Sequence, residues 1–236
     1  MFKGLIAPFA MVILALPNLA GQGPAGGTTN DFLIVPGMRV GPVTATIVRD
    51  DLKKLFPGVT ISDQELELDE GMVFPATMVA QNVQGESLAI VWTGKGADAH
   101  PKQVFMCRGR RRGACKYHAL APGGDIATGT KLLDLETMNG RAFTIGGFGW
   151  TYGGNVTSWD GGKLQAYDCD GSLSIALDGE RKGEGALAML LTEEERATFT
   201  GNRPIPTTTP ALRKLNPAIT EMLFIFPAAG TKPCRR

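Results

Sequence analysis

The alternation of hydrophobic and polar residues along the chain predicts a protein built mainly from antiparallel strands. In the first half this pattern gives the strand-like segments VTI, ELELDE, VFPATMVAQNV, SLAIVWTG and QVFMCRG. In the second half it gives RAFTIGGFGWTYGG, NVTSWDGG, KLQAYDCDG and SLSIALDG. Turn residues such as Asp160-Gly161 and Asp170-Gly171 separate neighbouring segments. Connections this short join antiparallel strands, because parallel strands need longer crossovers.

A short segment with helical spacing precedes each run of strands. The first is VTATIVRDDLKKLFPG from Val43, and the second is IATGTKLLDLETMNGR from Ile126. In both segments, a Leu is followed three positions later by another apolar residue, and a Gly-containing turn then ends the helical pattern. In the second segment we expect Thr130 to be the N-cap and Gly140 to follow the helix as C′. Superimposed from their first residues, the two segments share an aspartate and a leucine position, which indicates one helix-plus-sheet unit used twice.

The fold class expected from this pattern is α+β, with two helix-plus-antiparallel-sheet repeats packed as one domain. The domain is expected to span residues 36–236, with the first repeat at about 40–120, the second at about 124–180 and a tail at 181–236. In the tail, LTEEERATF has the residues of a capping box and predicts a short helix. The segment PIPTTTP predicts a loop, and ITEMLFIF predicts a final strand that closes the sheet.

The N-terminus has the features of an export signal. Lys3 gives a positive start, Leu5 to Leu16 is an apolar run too short to span a bilayer, and small residues with a proline follow. We therefore expect a signal peptide at residues 1–20 and a flexible lead-in at 21–35, with a periplasmic or secreted mature protein and no transmembrane span after cleavage. A buried N-terminal helix is the alternative, which the prolines in this stretch disfavour.

Charge gives little indication of a partner. The chain has 24 basic and 23 acidic residues, and removing the first 20 residues takes away Lys3 and no acid, so the expected mature chain is formally neutral. This argues against a nucleic-acid partner or a membrane surface. The distribution is uneven, because acids crowd residues 63–70 whereas residues 101–124 carry six basic residues and no acid. The simplest explanation is that the two segments face each other or solvent within one fold.

Four cysteines in an exported chain indicate two disulfides. Three pairings are open. We favour Cys107 with Cys115, because VFMC and ACKYHAL look like two strands of one hairpin, and Cys169 with Cys234, which would tie the tail to a strand. Zinc bound by Cys107, Cys115 and His118 is the competing possibility, but no paired C-x-x-C spacing supports it.

The repeat, with ATGTKLLDLETMNG as its best instance, resembles the tandem modules of the beta-lactamase inhibitor protein fold and of small outer-membrane-assembly lipoproteins. Those modules open with a short helix ending near Gly and continue as an antiparallel sheet. GRAFTIGGFGWTYGGNVTSWDGGKL also resembles bacterial secreted proteins of unassigned function. The resemblance covers about residues 36–180 and implies a binding or scaffold protein of the cell envelope. The chain departs from the lipoproteins in having no lipobox, and the inhibitor's contact residues cannot be mapped onto it.

Known catalytic motifs are absent from the sequence. It contains no G-x-S-x-G, no H-E-x-x-H and no P-loop, and the only two histidines are His100 and His118. The glycine-rich GGFGWTYGG has no Lys and no helical pattern after it, so sheet curvature explains it better than phosphate binding. We therefore expect no cofactor, no metal and no catalytic residue. The alternative is a hydrolase of envelope polymers that uses a carboxylate pair such as Asp168 and Asp170, although D-C-D-G at that point is first of all a turn.

Two sets of residues are candidates for binding. Four guanidinium groups crowd the tip between Cys107 and Cys115 and suit an anionic polymer: Arg108, Arg110, Arg111 and Arg112. The same tip also reads as a solvated hairpin end. Three aromatic residues could stack on a sugar or anchor an envelope protein, or else pack in the core: Trp150, Tyr152 and Trp159. The sequence thus predicts a non-catalytic exported binding or scaffold protein, with a purely structural role as a third possibility.

Overall fold

A computed structural model describes residues 30–68, 71–80, 82–107, 115–169, 171–178 and 191–228. The predicted signal peptide, the arginine-rich tip and Cys234 lie outside these ranges. The fold is α+β, as predicted, and consists mostly of sheet with few helices.

The strands of the described residues are, in chain order, β1 Leu33–Val35, β2 Arg39–Val40, β3 Val43–Thr44, β4 Ile61–Glu67, β5 Val73–Val79, β6 Leu88–Trp92, β7 Pro101–Met106, β8 His118–Ala121, β9 Gly124–Ala127, β10 Thr144–Gly146, β11 Val156–Ser158, β12 Leu173–Asp178, β13 Pro204–Pro206 and β14 Ala218–Ile225. The helices are α1 Leu52–Leu55, which continues a 3₁₀ turn at Arg49–Asp51, then α2 Leu132–Asn139, α3 Lys163–Asp168, α4 Glu193–Ala197 and α5 Pro210–Leu215.

The largest sheet has six antiparallel strands in the order β12–β14–β7–β6–β5–β4. The meander predicted for the first half is confirmed, since β4 to β7 are consecutive neighbours. The ITEMLFIF segment is a strand, as predicted, but β14 lies inside the sheet between β12 and β7. It therefore joins strands of the two halves of the chain, and the sheet stays open.

A five-stranded sheet has the order β3–β2–β1–β8–β9, and β1 and β8 are parallel. Strand β1 lies inside the segment predicted as a flexible lead-in, so the fold includes Leu33–Val35. The predicted hairpin between VFMC and ACKYHAL is wrong. The chain turns at Cys107, where φ is +53°, and the Lys116 N–H bonds to the Gly85 carbonyl. The following strand β8 then pairs with β1 and β9 instead of β7.

The strands of the second half do not repeat the order of the first. Strands β10 and β11 form a three-stranded sheet with β13, whereas β12 belongs to the six-stranded sheet. The segment KLQAYD, predicted as a strand, is helix α3. Its second residue, Leu164, is buried, and the Leu164 N–H donates to the Asn139 side-chain oxygen at 3.1 Å. This contact from α2 helps satisfy the first turn of α3, and a period-two pattern in the sequence cannot reveal it.

Helix α2 matches its prediction at one end only. Gly140 follows the helix in the left-handed conformation, and the Gly140 N–H bonds to the carbonyls of Glu136 and Thr137. Thr130 is not the N-cap, because its hydroxyl accepts from the Ala127 N–H. The first amides of α2 are satisfied from the distant 216–217 segment: Leu132 N–H donates to the Pro217 carbonyl, and Leu133 N–H donates to the Asn216 side chain.

In the tail, the predicted capping box is confirmed, whereas the first part of the predicted loop is a strand. The capping box exists: the Glu195 N–H donates to the Thr192 hydroxyl at 3.1 Å, and the Thr192 N–H donates to the Glu195 carboxylate at 2.7 Å. The segment predicted as a Pro- and Thr-rich loop contributes the short strand β13, which pairs with β10.

One large apolar core lies between the sheets and the helices. Its largest fully buried side chains include Tyr117, Phe143, Phe199 and Phe224. The Tyr117 hydroxyl accepts from the Asn30 amide and donates to the Glu86 carbonyl. Burial raises the pKa of this phenol well above its usual range, so Tyr117 stays neutral. No helix in the described ranges has the length and hydropathy to cross a bilayer.

Candidate binding surface

Two of the three predicted aromatic candidates lie together in the connection between β10 and β11. We call residues 147–155 the aromatic loop. The prediction placed Trp150 and Tyr152 on one strand face, but both lie in turns of this loop. Trp150 is 37% exposed and Tyr152 is 42% exposed, so each presents part of its ring to solvent.

Backbone hydrogen bonds tie the aromatic loop to three parts of the fold. Within the hairpin, the Gly154 N–H donates to the Gly146 carbonyl at 2.8 Å. On one side, Phe148 exchanges bonds with the 199–201 segment, donating to Phe199 and accepting from Gly201. On the other side, the Gly154 carbonyl accepts from the Leu177 N–H of β12 at 2.9 Å. The loop is therefore fixed by main-chain contacts on both flanks, although most of it is irregular.

Close backbone approach explains the glycines of this loop. A Cβ at Gly147 would lie 2.3 Å from the Gly201 carbonyl oxygen. A Cβ at Gly154 would lie 2.1 Å from the Leu177 carbonyl oxygen, and φ there is +80°. Both positions exclude any side chain, so the glycines serve tight packing. The sequence predicted sheet curvature at GGFGWTYGG, but these glycines lie in a loop, where they permit close backbone approach.

A buried aromatic contact packs the aromatic loop against the core. Phe148 packs edge-to-face against Phe199, with ring centroids 5.8 Å apart, and both side chains are buried. The loop therefore buries one aromatic residue and presents the next two outward. Rigid support of this kind lowers the entropy cost when the exposed rings contact a partner.

Trp150 and Tyr152 contact each other through an edge-to-face arrangement. Their ring centroids lie 5.6 Å apart and their planes cross at 80°. Such a pair forms a compact apolar projection with two polar groups, the indole N–H and the phenol O–H, on the same unit. Because the rings are nearly perpendicular, they do not form the flat platform on which a sugar face stacks.

The third aromatic candidate is not on the surface. Trp159 is 3% exposed and packs against Phe143 with centroids 5.0 Å apart. Its carbonyl accepts from the buried Asn139 amide. Trp159 is therefore a core residue, which corrects its assignment to a surface set.

A polar cluster lies at the other end of the β10–β11 hairpin. The Asp160 carboxylate accepts from the Ser158 hydroxyl at 2.6 Å and from the Thr144 hydroxyl at 2.8 Å. These bonds, together with the nearby Arg141 charge, hold the pKa of Asp160 below its usual value. Asp160 has φ +51° and Gly161 has φ +74°, so the predicted turn at these residues is present. The cluster fixes the hairpin end opposite the aromatic loop.

The predicted anion-binding set of arginines, Arg108, Arg110, Arg111 and Arg112, lies outside the described residues. The cysteines at either end are described, and Cys107 and Cys115 form the predicted disulfide. Cys169 is also disulfide-bonded. Its predicted partner Cys234 is outside the described ranges, so that pairing stays a prediction.

The remaining candidates for chemistry are dispersed. Within the described residues no three His, Cys, Asp or Glu side chains lie close enough to hold a metal ion. His100 contacts the Ile47 carbonyl and His118 contacts the Lys116 carbonyl, through one ring nitrogen each. The Asp168 carboxylate accepts from the Leu173 N–H at 2.9 Å, where it joins α3 to β12. Its proposed partner Asp170 is not among the described residues.

No family model, no curated protein and no solved structure matches the chain.

Proposed function

We propose that this chain is a non-catalytic binding protein of the cell envelope that recognises another protein through Trp150 and Tyr152. The observation that carries the proposal is the aromatic loop itself, an exposed edge-to-face pair held on a backbone with contacts on both flanks. Trp and Tyr dominate the binding energy of many protein interfaces, because each buries a large area and loses few rotamers. A protein partner fits a compact projection better than a sugar does.

The proposal includes export to the periplasm or the cell surface. The predicted signal peptide at residues 1–20 motivates it, and the disulfide between Cys107 and Cys115 supports it because such bonds persist in oxidising compartments. Under the same proposal, the two helix-plus-sheet segments derive from one duplicated module. Intact-mass measurement of protein taken from cells should show the loss of about 20 residues and no free thiol. An unprocessed chain with four thiols would contradict export.

The test of binding uses the full chain as bait in an envelope extract, followed by direct titration of each purified protein that it captures. The double variant W150A/Y152A should lower the affinity of a true partner at least about tenfold, because both anchors are truncated. The matched control is Leu120→Ala, since Leu120 is 56% exposed on β8, in a different sheet. It should bind like the wild type. Equal binding by the double variant would remove the aromatic loop from the interface.

Fluorescence gives a direct readout of the same site. The chain has three tryptophans, and Trp92 and Trp159 are buried, so acrylamide quenching should act first on Trp150. A partner that covers the loop should slow this quenching. If free saccharide slows it instead, the partner class is a glycan and the proposal of a protein partner is wrong.

The arginine-rich tip tests the other partner class. Replacing Arg108, Arg110, Arg111 and Arg112 with Gln should abolish capture of an anionic polymer if that tip binds one, and should leave a partner of the aromatic loop unaffected. Unchanged retention on an anionic polymer would exclude the tip as its binding site.

A further inference from the structure

Strand β4 is the outermost strand of the six-stranded sheet, and its outer edge has no strand partner among the described residues. It is seven residues long. The other edges are shorter or protected: β12 is backed by the aromatic loop, β13 contains Pro204 and Pro206, and β3, β9 and β11 have two, four and three residues. The edge of β4 is therefore the longest stretch of strand backbone left open in the described fold.

The register of the β4–β5 pair shows which backbone groups point outward. The Ala80 N–H bonds to the Thr60 carbonyl and the Leu68 N–H bonds to the Met72 carbonyl, so even-numbered residues of β4 bond to β5. Odd-numbered residues such as Asp63 and Glu65 direct their N–H and C=O away from the sheet. Pro75 has no N–H to donate, and it lies opposite Glu65, one of the odd-numbered residues that do not bond to β5.

Three of the four outward residues of β4 have acidic side chains, and the fourth is Ile61. Asp63, Glu65 and Glu67 follow one another at every second position and share a face of β4. The Asp63 carboxylate is positioned from within the sheet, because it accepts from the Thr77 hydroxyl, which in turn accepts from the buried Trp92 indole at 2.9 Å. Charge at a sheet edge prevents pairing with a copy of the same strand, since like charges would stand opposite each other.

We propose that the open edge of β4 binds an extended basic segment of another protein, which adds a seventh antiparallel strand to the sheet. The outward N–H and C=O groups of Asp63 and Glu65 supply the main-chain bonds, and the carboxylates of these two residues pair with Lys or Arg at alternate positions of the segment. The acids that exclude self-pairing thus select a partner of opposite charge. This surface is separate from the aromatic loop, and the proposal stands independently of the function proposed above.

The probe is a nine-residue peptide of alternating Lys and Thr, capped at both ends, titrated into the full chain. Binding should slow hydrogen exchange at the amides of Asp63 and Glu65, whereas the amides of Ser62 and Gln64 already bond to β5. The same peptide N-methylated at every second residue keeps its charge but loses donors from one edge, and it should bind at least about tenfold more weakly. Equal binding of both peptides, or exchange changes only elsewhere, would overturn the proposal.

Two variants at one position separate charge from backbone pairing. Glu65→Gln keeps the outward N–H and should weaken the peptide about threefold through the lost charge pair. Glu65→Pro removes the outward N–H but no bond to β5, and should weaken it about tenfold further. If both variants bind alike, charge alone holds the peptide and the edge is not a pairing site. W150A/Y152A should bind this peptide like the wild type, so failure of one proposal is distinguishable from failure of the other.

Discussion

The backbone N–H of Leu177 donates to the carbonyl of Gly154 at 2.9 Å, so the aromatic loop is attached to the edge strand of the largest sheet. This bond protects the edge of β12 and holds the loop in place. The stability of the loop and the integrity of that sheet edge therefore depend on the same contact.

Gly154→Ala should destabilise the protein by about 3 kcal/mol, because the new Cβ would meet the Leu177 carbonyl oxygen and φ is positive. Gly171→Ala is the matched control: φ is +81° there and no atom lies within 4 Å of the added Cβ. It should cost about 1 kcal/mol, from backbone strain alone. Urea unfolding of both variants measures the difference, and equal losses would show that the close approach at Gly154 is unimportant.

Replacing Cys107 and Cys115 with Ala should lower the free energy of unfolding by about 2 to 3 kcal/mol. The two cysteines are eight positions apart, and closing so short a loop restricts the unfolded chain by roughly this amount. Chemical denaturation in the absence of reductant gives the value. Added reductant should destabilise the double variant further, because Cys169 is also disulfide-bonded. A double variant as stable as the wild type would contradict the prediction.

Asn216 should contribute to stability through its side chain and its backbone. Its oxygen accepts from the Leu133 N–H at 3.1 Å, and its φ is +45°. Asn216→Ala loses the cap and strains the backbone, so we expect a cost of about 2 kcal/mol. Asn216→Gly loses only the cap and should cost about 1 kcal/mol. Thermal unfolding distinguishes the two, and the opposite order would exclude a role for the left-handed conformation.

The Asp160 carboxyl should titrate below its usual pKa of 3.8. Its pKa is lower in the folded than in the unfolded protein, so its contribution to stability is fully present above about pH 3.8 and is lost as the pH falls through the folded pKa. Ser158→Ala should raise the pKa of Asp160 more than Thr144→Ala, because the Ser158 bond is the larger cause. Carboxyl NMR titration measures both. An unchanged pKa in both variants would contradict the assigned cause.

Local signals in the sequence predicted local structure well. Gly140 ends α2, and Thr192 and Glu195 form their capping box, because in each case the bonds connect residues within four positions of one another. The strands of the first half were also predictable, since β4 to β7 follow in sequence and pair with their neighbours.

Features that depend on distant parts of the chain were not predictable in this way. Helix α3 receives a cap from Asn139, and α2 receives one from Asn216, 83 positions away from Leu133. Strand β8 pairs with β1 in a parallel arrangement, which no turn residue in the sequence predicts. Trp150 and Tyr152 were recognised as surface candidates because they are aromatic residues in a glycine-rich stretch. Trp159 was chosen for the same residue type, but it packs against Phe143 in the core. The sequence around β4 showed an alternation of acidic residues, but nothing else in it indicated that this strand would lie at an open edge.

The position of β14 also bears on how the protein is made. This strand follows every other described strand in the chain, yet it occupies the interior of the six-stranded sheet. Until it is synthesised, β7 lacks a neighbour on one side and β12 has no partner in that sheet. A ribosome that stalls before residue 218 would release a polypeptide with two unsatisfied strand edges, which is a substrate for chaperones and proteases. The six-stranded sheet can therefore be completed only after residues 218–225 have been synthesised.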